Sequence, residues 1–442
     1  MKKVAFRNLG CKVNEYEMEY MQQIMAEKGF FVVPFDEKAD IYVINTCTVT
    51  NIADRKSRQM LHRAKKLNPE AIVVAVGCYV QTDTEGASND EAVDIMVGNN
   101  HKAELADIVL QYIEDHKISM ETVADLTHEV SYEDMHIKTT AEHTRAFVKI
   151  QDGCNQFCSY CAIPLARGRV RSRSYESVVD EARDLAANGY QELVITGIHL
   201  SSYGLDFKDS QTAYNQVAIE EDYTNEELLN VLKMVAEVEG IKRIRLGSLE
   251  PRLITRPFLE EISKINKLCP HFHLSLQSGC DETLKRMNRR YTAQEYLNSC
   301  NLLREYFENP AITTDVIVGF PDESDEEFEK SLTFVEKAEF FELHVFKYSK
   351  RKNTPAAVMK GQIADAVKDE RSNQMIELGE RMSLAYREQF KDKEVEVLFE
   401  ESKNGMICGH TREYLYVGMK GNSHLKGQIV TLKLDGESLF FI

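Results

Sequence analysis

The chain has 442 residues, 43% of them hydrophobic, which is enough for two or three domains with ordinary cores. With 71 acidic against 54 basic residues its formal charge is −17, which argues against binding nucleic acid through bulk positive charge. No apolar run approaches the roughly 18 residues of a membrane span, and none follows the opening lysines as in a signal peptide. The expectation is a cytoplasmic protein without membrane attachment, whose ten cysteines sit in a reducing compartment and read as metal ligands before disulfides.

Residues 1 to about 125 alternate strands and helices. The predicted strands are Lys3–Asn8, Asp40–Asn45, Ala71–Val76 and Asp94–Val97, rich in Val, Ile and aromatics. A helix carrying Tyr20, Met21, Ile24 and Met25 stops at Gly29, and another runs from about Asn51 to Asn68-Pro69. Repeated βαβ units predict a parallel sheet covered on both faces. Cys11 in NLGCKVN, Cys47 in INTCTVT and Cys78 in AVGCYVQ each follow a predicted strand. Ligands of open parallel sheets bind beyond the carboxyl ends of the strands, so three strands would deliver three thiolates to one edge. The plain alternative is three small buried residues at strand ends. The basic stretch Arg55, Lys56, Arg58, Arg63, Lys65 and Lys66 reads equally as a binding patch or a solvated face. Residues 121–143 are polar, without a clear period, and read as a linker.

The next strand, ending at Ile150-Gln151, leads through a turn at Asp152-Gly153 into Cys154, Cys158 and Cys161. Thiolates hold iron–sulfur clusters, and three in one short loop leave one iron of a cubane open. The spacing departs from the paired cysteines of tetrahedral zinc sites, although a zinc site completed from elsewhere and three unremarkable thiols remain as alternatives. Arg167, Arg169, Arg171 and Arg173 follow at every second position, again a basic patch or a solvated face.

The Cys-x3-Cys-x2-Cys array, with the aromatic Tyr160 before its last cysteine, resembles the signature of the radical S-adenosylmethionine (SAM) enzymes. LGCKVNEYE, NTCTVT and AVGCY resemble the amino-terminal domain of the methylthiotransferases within that group. The resemblance implies two 4Fe–4S clusters and SAM as cofactors. Cys154, Cys158 and Cys161 would hold the cluster whose open iron chelates SAM and whose electron cleaves it to methionine and a 5′-deoxyadenosyl radical. Cys11, Cys47 and Cys78 would hold an auxiliary cluster carrying the sulfur, which a first SAM methylates. GCKVNEYE is similar to the bacterial branch acting on tRNA N6-threonylcarbamoyladenosine. The isopentenyladenosine branch shows GCQMN, and the ribosomal-protein branch a GCxKN form.

Residues 144–378 carry six further predicted strands: Ala146–Gln151, Glu192–Thr196, Arg243–Leu249, His271–Leu276, Ile312–Val318 and Leu343–Tyr348. Helices are predicted at Ser174–Asn188 and Asn225–Val238. Six βα units are too few for a closed eight-stranded barrel and give an open, partial one, as the resemblance also implies. Polar strand ends resemble family motifs around SAM, with Gly197, Ser248, Glu250, Gln277 and Asp315 as contact candidates; turn capping is the competing role. The family's Arg-x-Gly-Thr-x-Ala appears here as Arg351-Lys352-Asn353-Thr354-Pro355-Ala356, with Asn standing for Gly where φ is positive. The acidic loop 205–224 has no readable role. Cys269, Cys280, Cys300 and Cys408 lack metal spacing and read as structural.

From about 380 the chain alternates short strand-like runs and turns, the pattern of a small barrel, and by position resembles the RNA-binding TRAM domain. Lys403, Arg412, Tyr414, Tyr416 and Lys420 are the candidates for stacking and phosphate contact.

The expected fold class is therefore α/β, in three domains: 1–125, a parallel-sheet βαβ domain with the auxiliary cluster; 140–378, a partial (βα)6 radical SAM barrel; and 380–442, a TRAM-like β-barrel. The expected function is a tRNA methylthiotransferase acting at carbon 2 of N6-threonylcarbamoyladenosine beside the anticodon. That hydrogen is not acidic, so a radical is a reasonable requirement. No catalytic side chain is expected beyond the cluster ligands. The expected partners are tRNA and an electron donor such as flavodoxin or ferredoxin, with a monomer as the default. Isopentenyladenosine, a ribosomal-protein side chain, or a non-catalytic iron–sulfur RNA-binding regulator are the alternatives.

Overall fold

A computed structural model describes the chain except residues 116–121, 127–130, 141–143, 208–222, 404, 422, 436–438 and 442. The loop 205–224 thus lies largely outside the described residues, as does part of the linker 121–143.

The amino-terminal sheet has five parallel strands: β1 (Lys3–Asn8), β2 (Phe31–Val33), β3 (Ile41–Thr46), β4 (Ile72–Gly77) and β5 (Ile95–Val97), in the order β2-β1-β3-β4-β5. β2 is the strand the sequence reading missed; it has three residues, too few to show a period. Alternation along the strands feeds two separate cores. Ala5, Tyr42, Ile44, Val73 and Ala75 face one side; Val4, Phe6, Ile41, Val43, Val74 and Val76 face the other. Helix α1 (Lys12–Glu27) covers the second face, and α2 (Asn51–Leu67) begins at Thr50, whose hydroxyl accepts from the Ala53 amide at 3.1 Å.

Six parallel strands form the central partial barrel: β6 (Ala146–Asp152), β8 (Glu192–Gly197), β9 (Arg243–Leu246), β10 (His271–His273), β11 (Ala311–Val318) and β12 (Glu342–Lys347). The short antiparallel β7 (Arg171–Ser172) edges β6. β9 and β10 are stitched by isolated bridges at Ile244–Leu268 and Leu249–Leu274. The helices Tyr175–Ala187 and Glu226–Ala236 fall where expected, capped by Ser174 and Asn225. One residue in two points outward beneath the helices: Ala146, Val148, Ile150, Leu193, Ile195, Ile244, Leu246, Phe272, Leu274, Ile312, Val316 and Val318 belong to one core. The alternate positions point away from that core; among them are the polar Arg245, His273, Asp315 and His344, and Phe147 and Val194, which cluster with Tyr16.

A 24-residue helix, Asp365–Glu388, follows the barrel, so the boundary expected between 378 and 380 falls inside a helix. Beyond it, β13 (Glu394–Lys403), β14 (Met406–Thr411), β15 (Tyr416–Lys420), β16 (Ile429–Lys433) and β17 (Leu439–Phe441) form an antiparallel sheet in the order β16-β13-β14-β15-β17. Two of its expected RNA-contact residues turn inward. The Tyr414 ring stacks on His271 at 4.3 Å, and Arg412 donates to the Asn266 and Leu268 carbonyls at 2.7 and 2.9 Å. Arg245 answers by donating to the carbonyls of Arg412 and Thr411. These residues dock the sheet on the floor of the barrel, where the amino-terminal ends of its strands leave polar groups unpaired.

The arginine run is likewise a structural device and not an exposed patch. Arg167, Arg171 and Arg173 are 0–1% exposed. Arg167 donates to Glu17 at 2.8 and 2.9 Å and to Asp152 at 3.0 Å. Lys149 pairs with Glu17 at 2.8 Å and Asp152 at 2.6 Å, and Lys102 bonds Glu17. Arg173 bonds Glu181 and reaches the Tyr16 hydroxyl at 3.2 Å. Desolvation opposes charge at these carboxylates, but the cations outweigh it and hold Glu17 and Asp152 far below the usual range. This network fixes α1 against β6, and with it the amino-terminal sheet against the barrel.

Candidate active site

The backbone places both cysteine sets at carboxyl ends of strands. Cys11 precedes α1, Cys47 follows β3 directly, and Cys78 opens the helix Cys78–Thr82 after β4. Gly77 makes the last turn possible: its φ is +95°, and a Cβ there would lie 2.6 Å from Asn45 Oδ1. In the barrel, Gly153 (φ +70°) turns the chain out of β6, where a Cβ would lie 1.7 Å from the Arg169 carbonyl oxygen. Cys154, Cys158 and Cys161 come next, with Phe157 held at φ +50° under the Arg169 guanidinium.

The two sets occupy facing elements. Asn99 Nδ2 donates to the Ala166 carbonyl at 2.7 Å and lies 3.6 Å from Cys78 Sγ. Arg351, in the loop after β12, donates to Thr48 and Asn51 and pairs with Asp54 at 2.6 Å, clamping the Cys47 loop onto the barrel. Asn353 in that loop has φ +65°, the left-handed conformation that lets it stand for glycine.

A cavity of about 290 Å³ opens between these elements. It is lined by Cys154, Cys158 and Cys161, by Val49 and Thr50 beside Cys47, and by Ser248, Glu250, Gln277 and Asp315. Four of the five expected SAM contacts thus border one space. Gly197 is not among the lining residues; it packs on Gln151, where a Cβ would meet Oε1 at 2.9 Å, and its neighbours Ile198 and His199 line the cavity instead. Gln277 has φ +69°, strained for a residue with a Cβ, and its amide donates to the Asp315 carbonyl at 2.8 Å. Glu250 accepts from Arg252 at 2.8 and 3.0 Å and from Gln156 at 3.3 Å. Burial would raise its pKa, but His199 and Arg252 outweigh that and hold it at about 2.

Arg289, which no sequence signal marked, donates to Cys158 Sγ at 3.2 Å. It lies in a loop far along the chain, so only the fold brings it to the cysteines.

The donor set fits iron–sulfur groups. Burial raises the pKa of Cys154 and pushes Cys47 and Cys161 up to about 12; a bound metal would favour their thiolate form. Around them stand cations in excess: among the described residues the buried Lys102, Lys149, Arg167 and Arg171 converge on Glu17 and Asp152. Arg171 Nε and Nη1 and Arg167 Nε have no hydrogen-bond partner. Buried unmatched N–H groups beside thiols suit an anionic thiolate-ligated cluster.

Comparison with known proteins decides the family. A model of the radical SAM superfamily matches residues 148–335, and the model described as uncharacterized protein family UPF0004 matches residues 3–98. The threonylcarbamoyladenosine tRNA methylthiotransferase MtaB of Bacillus subtilis (strain 168) is 40% identical over 439 residues, covering 98% of this chain and 94% of that one. The chain belongs to the radical SAM methylthiotransferase family. As members of that family do, it catalyses methylthio transfer, with SAM and a 4Fe–4S cluster. A relative from Aquifex aeolicus (strain VF5) with the same name as the Bacillus protein is 38% identical over 95% of this chain and 97% of its own. A tRNA-2-methylthio-N(6)-dimethylallyladenosine synthase from Desulforamulus reducens (strain ATCC BAA-1160 / DSM 100696 / MI-1) is 32% identical over 97% and 92%. Among solved structures, the radical SAM methyltransferase TsrM from Kitasatospora setae shares the fold, with a TM-score of 0.57 at 14% identity over 81% of this chain and 77% of that one. Among the described residues no helix is long and apolar enough to cross a membrane.

Proposed function

We propose that this methylthiotransferase modifies carbon 2 of N6-threonylcarbamoyladenosine in tRNA. Cys154, Cys158 and Cys161 would hold the cluster that meets SAM, and Cys11, Cys47 and Cys78 a second one. When bound, the first supplies the electron that splits SAM and the second the sulfur that becomes the methylthio group. The observation that carries this reading is the meeting of the loop beside Cys47 and the three barrel cysteines on one cavity. The chain's own residues do the positioning. The Glu17 network and the Arg351 clamp fix the distance between the two sets. Arg289 donates to Cys158 Sγ, and Ser248, Glu250, Gln277 and Asp315 offer the polar contacts SAM needs.

Relatives that carry threonylcarbamoyladenosine in their names, at 34–40% identity, favour that nucleoside over dimethylallyladenosine, named for relatives at 32–33%. The tRNA body would lie along α2, whose Arg55, Lys56, Arg58 and Lys66 are exposed and which starts at the cavity rim. An electron donor of the flavodoxin or ferredoxin type would reduce the cluster.

The test is anaerobic reconstitution with iron and sulfide, then SAM, reductant and hypomodified tRNA, with mass spectrometry of the digested nucleosides. A methylthio mass gain on threonylcarbamoyladenosine is expected. A gain on isopentenyladenosine instead would refute the substrate, and SAM left uncleaved by a sample holding its clusters would refute the chemistry.

A further inference from the structure

We propose that Asn14 is a positioning residue whose side chain holds the loops of Cys11, Cys47 and Cys78 in one arrangement and ties them to the barrel cysteines. The proposal rests on the reading of those three cysteines as a cluster site and names the side chain that shapes it.

Asn14 is the third residue of α1 and is 1% exposed. The side chain of an Asn near a helix start ordinarily bonds nearby backbone. This one reaches across to strand ends instead. Its Nδ2 donates to the Leu9 carbonyl at 2.9 Å and to the Thr46 carbonyl at 3.0 Å. Leu9 lies just past β1, two residues before Cys11, and Thr46 ends β3, one residue before Cys47. The Asn14 Oδ1 accepts from Arg167 Nη2 at 2.7 Å. Two carbonyls on one side and a guanidinium on the other fix which end of the amide is nitrogen.

Each partner carries the constraint further. The Thr46 hydroxyl accepts from the Tyr79 amide at 3.2 Å and donates to the Val76 carbonyl at 2.5 Å. The turn that presents Cys78 is therefore bound to the same strand end. The Asn14 backbone carbonyl accepts from Asn45 Nδ2 at 2.7 Å. Gly10 lets the Cys11 loop pass close by: a Cβ there would lie 2.9 Å from Asn14 Nδ2 and 3.3 Å from Cys47 Sγ. On the barrel side Arg167 also bonds Asp152, and the Cys154 amide donates to the carbonyl of Gly168, next to Arg167, at 3.1 Å. One buried side chain thus links three loops of the sheet edge to the segment that pins the first barrel cysteine.

The mixed amide suits this place. Asp would turn acceptors toward the Leu9 and Thr46 carbonyls and add negative charge beside a site for an anionic group. Leu would leave both carbonyls and Arg167 without this partner in a buried position. Gln is one methylene longer, where the close pass at Gly10 leaves no space.

The experiment reconstitutes the full-length chain anaerobically with iron and sulfide. It reads iron and acid-labile sulfide per chain, the electron paramagnetic resonance of the reduced protein with and without SAM, and 5′-deoxyadenosine. Wild type is expected to hold about eight irons, and Cys47→Ala about four. Asn14→Asp keeps an acceptor for Arg167 and loses both donors, whereas Asn14→Leu loses all three bonds; each is expected to hold about four irons. In both, the remaining signal should still shift with SAM, and SAM cleavage should persist. A general loss of fold would empty both sites together. Variants that keep about eight irons and the wild-type signals overturn the assignment, and so do variants that lose the SAM-shifted signal in step with their iron. If wild type and Cys47→Ala both hold about four irons, the auxiliary-site reading itself fails and this inference with it.

Discussion

Replacing Glu17 by Met should destabilise the protein more than any surface charge change, because it strands three buried cations. Lys102, Lys149 and Arg167 are 0–1% exposed, and each bonds the Glu17 carboxylate. Removing one partner of a buried pair costs about 3–5 kcal/mol, most of it the penalty of the uncompensated charge. Asp152 still receives Lys149 and Arg167, so we expect about 4 kcal/mol and a thermal midpoint lower by roughly 4 °C. Urea and thermal unfolding of the metal-free protein at neutral pH, followed by circular dichroism, would measure it. The combined Glu17→Met and Lys102→Met protein should regain part of the loss, since one stranded charge leaves with its partner. A loss below about 1 kcal/mol, or a double variant worse than the sum of the singles, would refute the claim that stranded charge is the cause.

Cys158→Ala should abolish 5′-deoxyadenosine formation, measured by chromatography, and Cys47→Ala should leave SAM cleavage in place but stop thiolation; thiolated product from Cys47→Ala would remove the auxiliary site. Acid should weaken the fold in a defined window. Glu17, Asp152 and Glu250 have depressed folded pKa values, so their stabilisation is complete above the unfolded carboxylate range near 4. It drains as pH falls from about 4.5 toward 2, and pH-dependent urea midpoints that stay flat there would contradict the assignment. Arg351→Ala removes the clamp on Thr48, Asn51 and Asp54; thiolation should fall at least about tenfold while SAM cleavage falls less, because only the distance between the cysteine sets changes.

The cysteines were legible because their information is local. Cys154, Cys158 and Cys161 share one loop, and Cys11, Cys47 and Cys78 follow strands whose apolar runs mark the sheet edge without any coordinates. The six barrel strands were legible for the same reason: one residue in two must be apolar to sit under the helices. The long helix Asp365–Glu388 and the three-residue β2 carried no such pattern. Charged residues misled. Arg167, Arg171 and Arg173 look like a basic patch because sequence records charge but not depth, and only the fold supplies Glu17 and Glu181 from 150 and eight positions away. Arg412 and Tyr414 look like RNA contacts in the sequence, and the fold engages both, half-buried, against the barrel floor. Arg289 at Cys158 depends on a contact between segments remote in the chain. Sequence by itself therefore determined the strands, the thiol positions and the family chemistry, all set by short-range pattern. Tertiary structure decided which charges are buried supports and which stand exposed along α2, because a charge's role depends on what surrounds it in space.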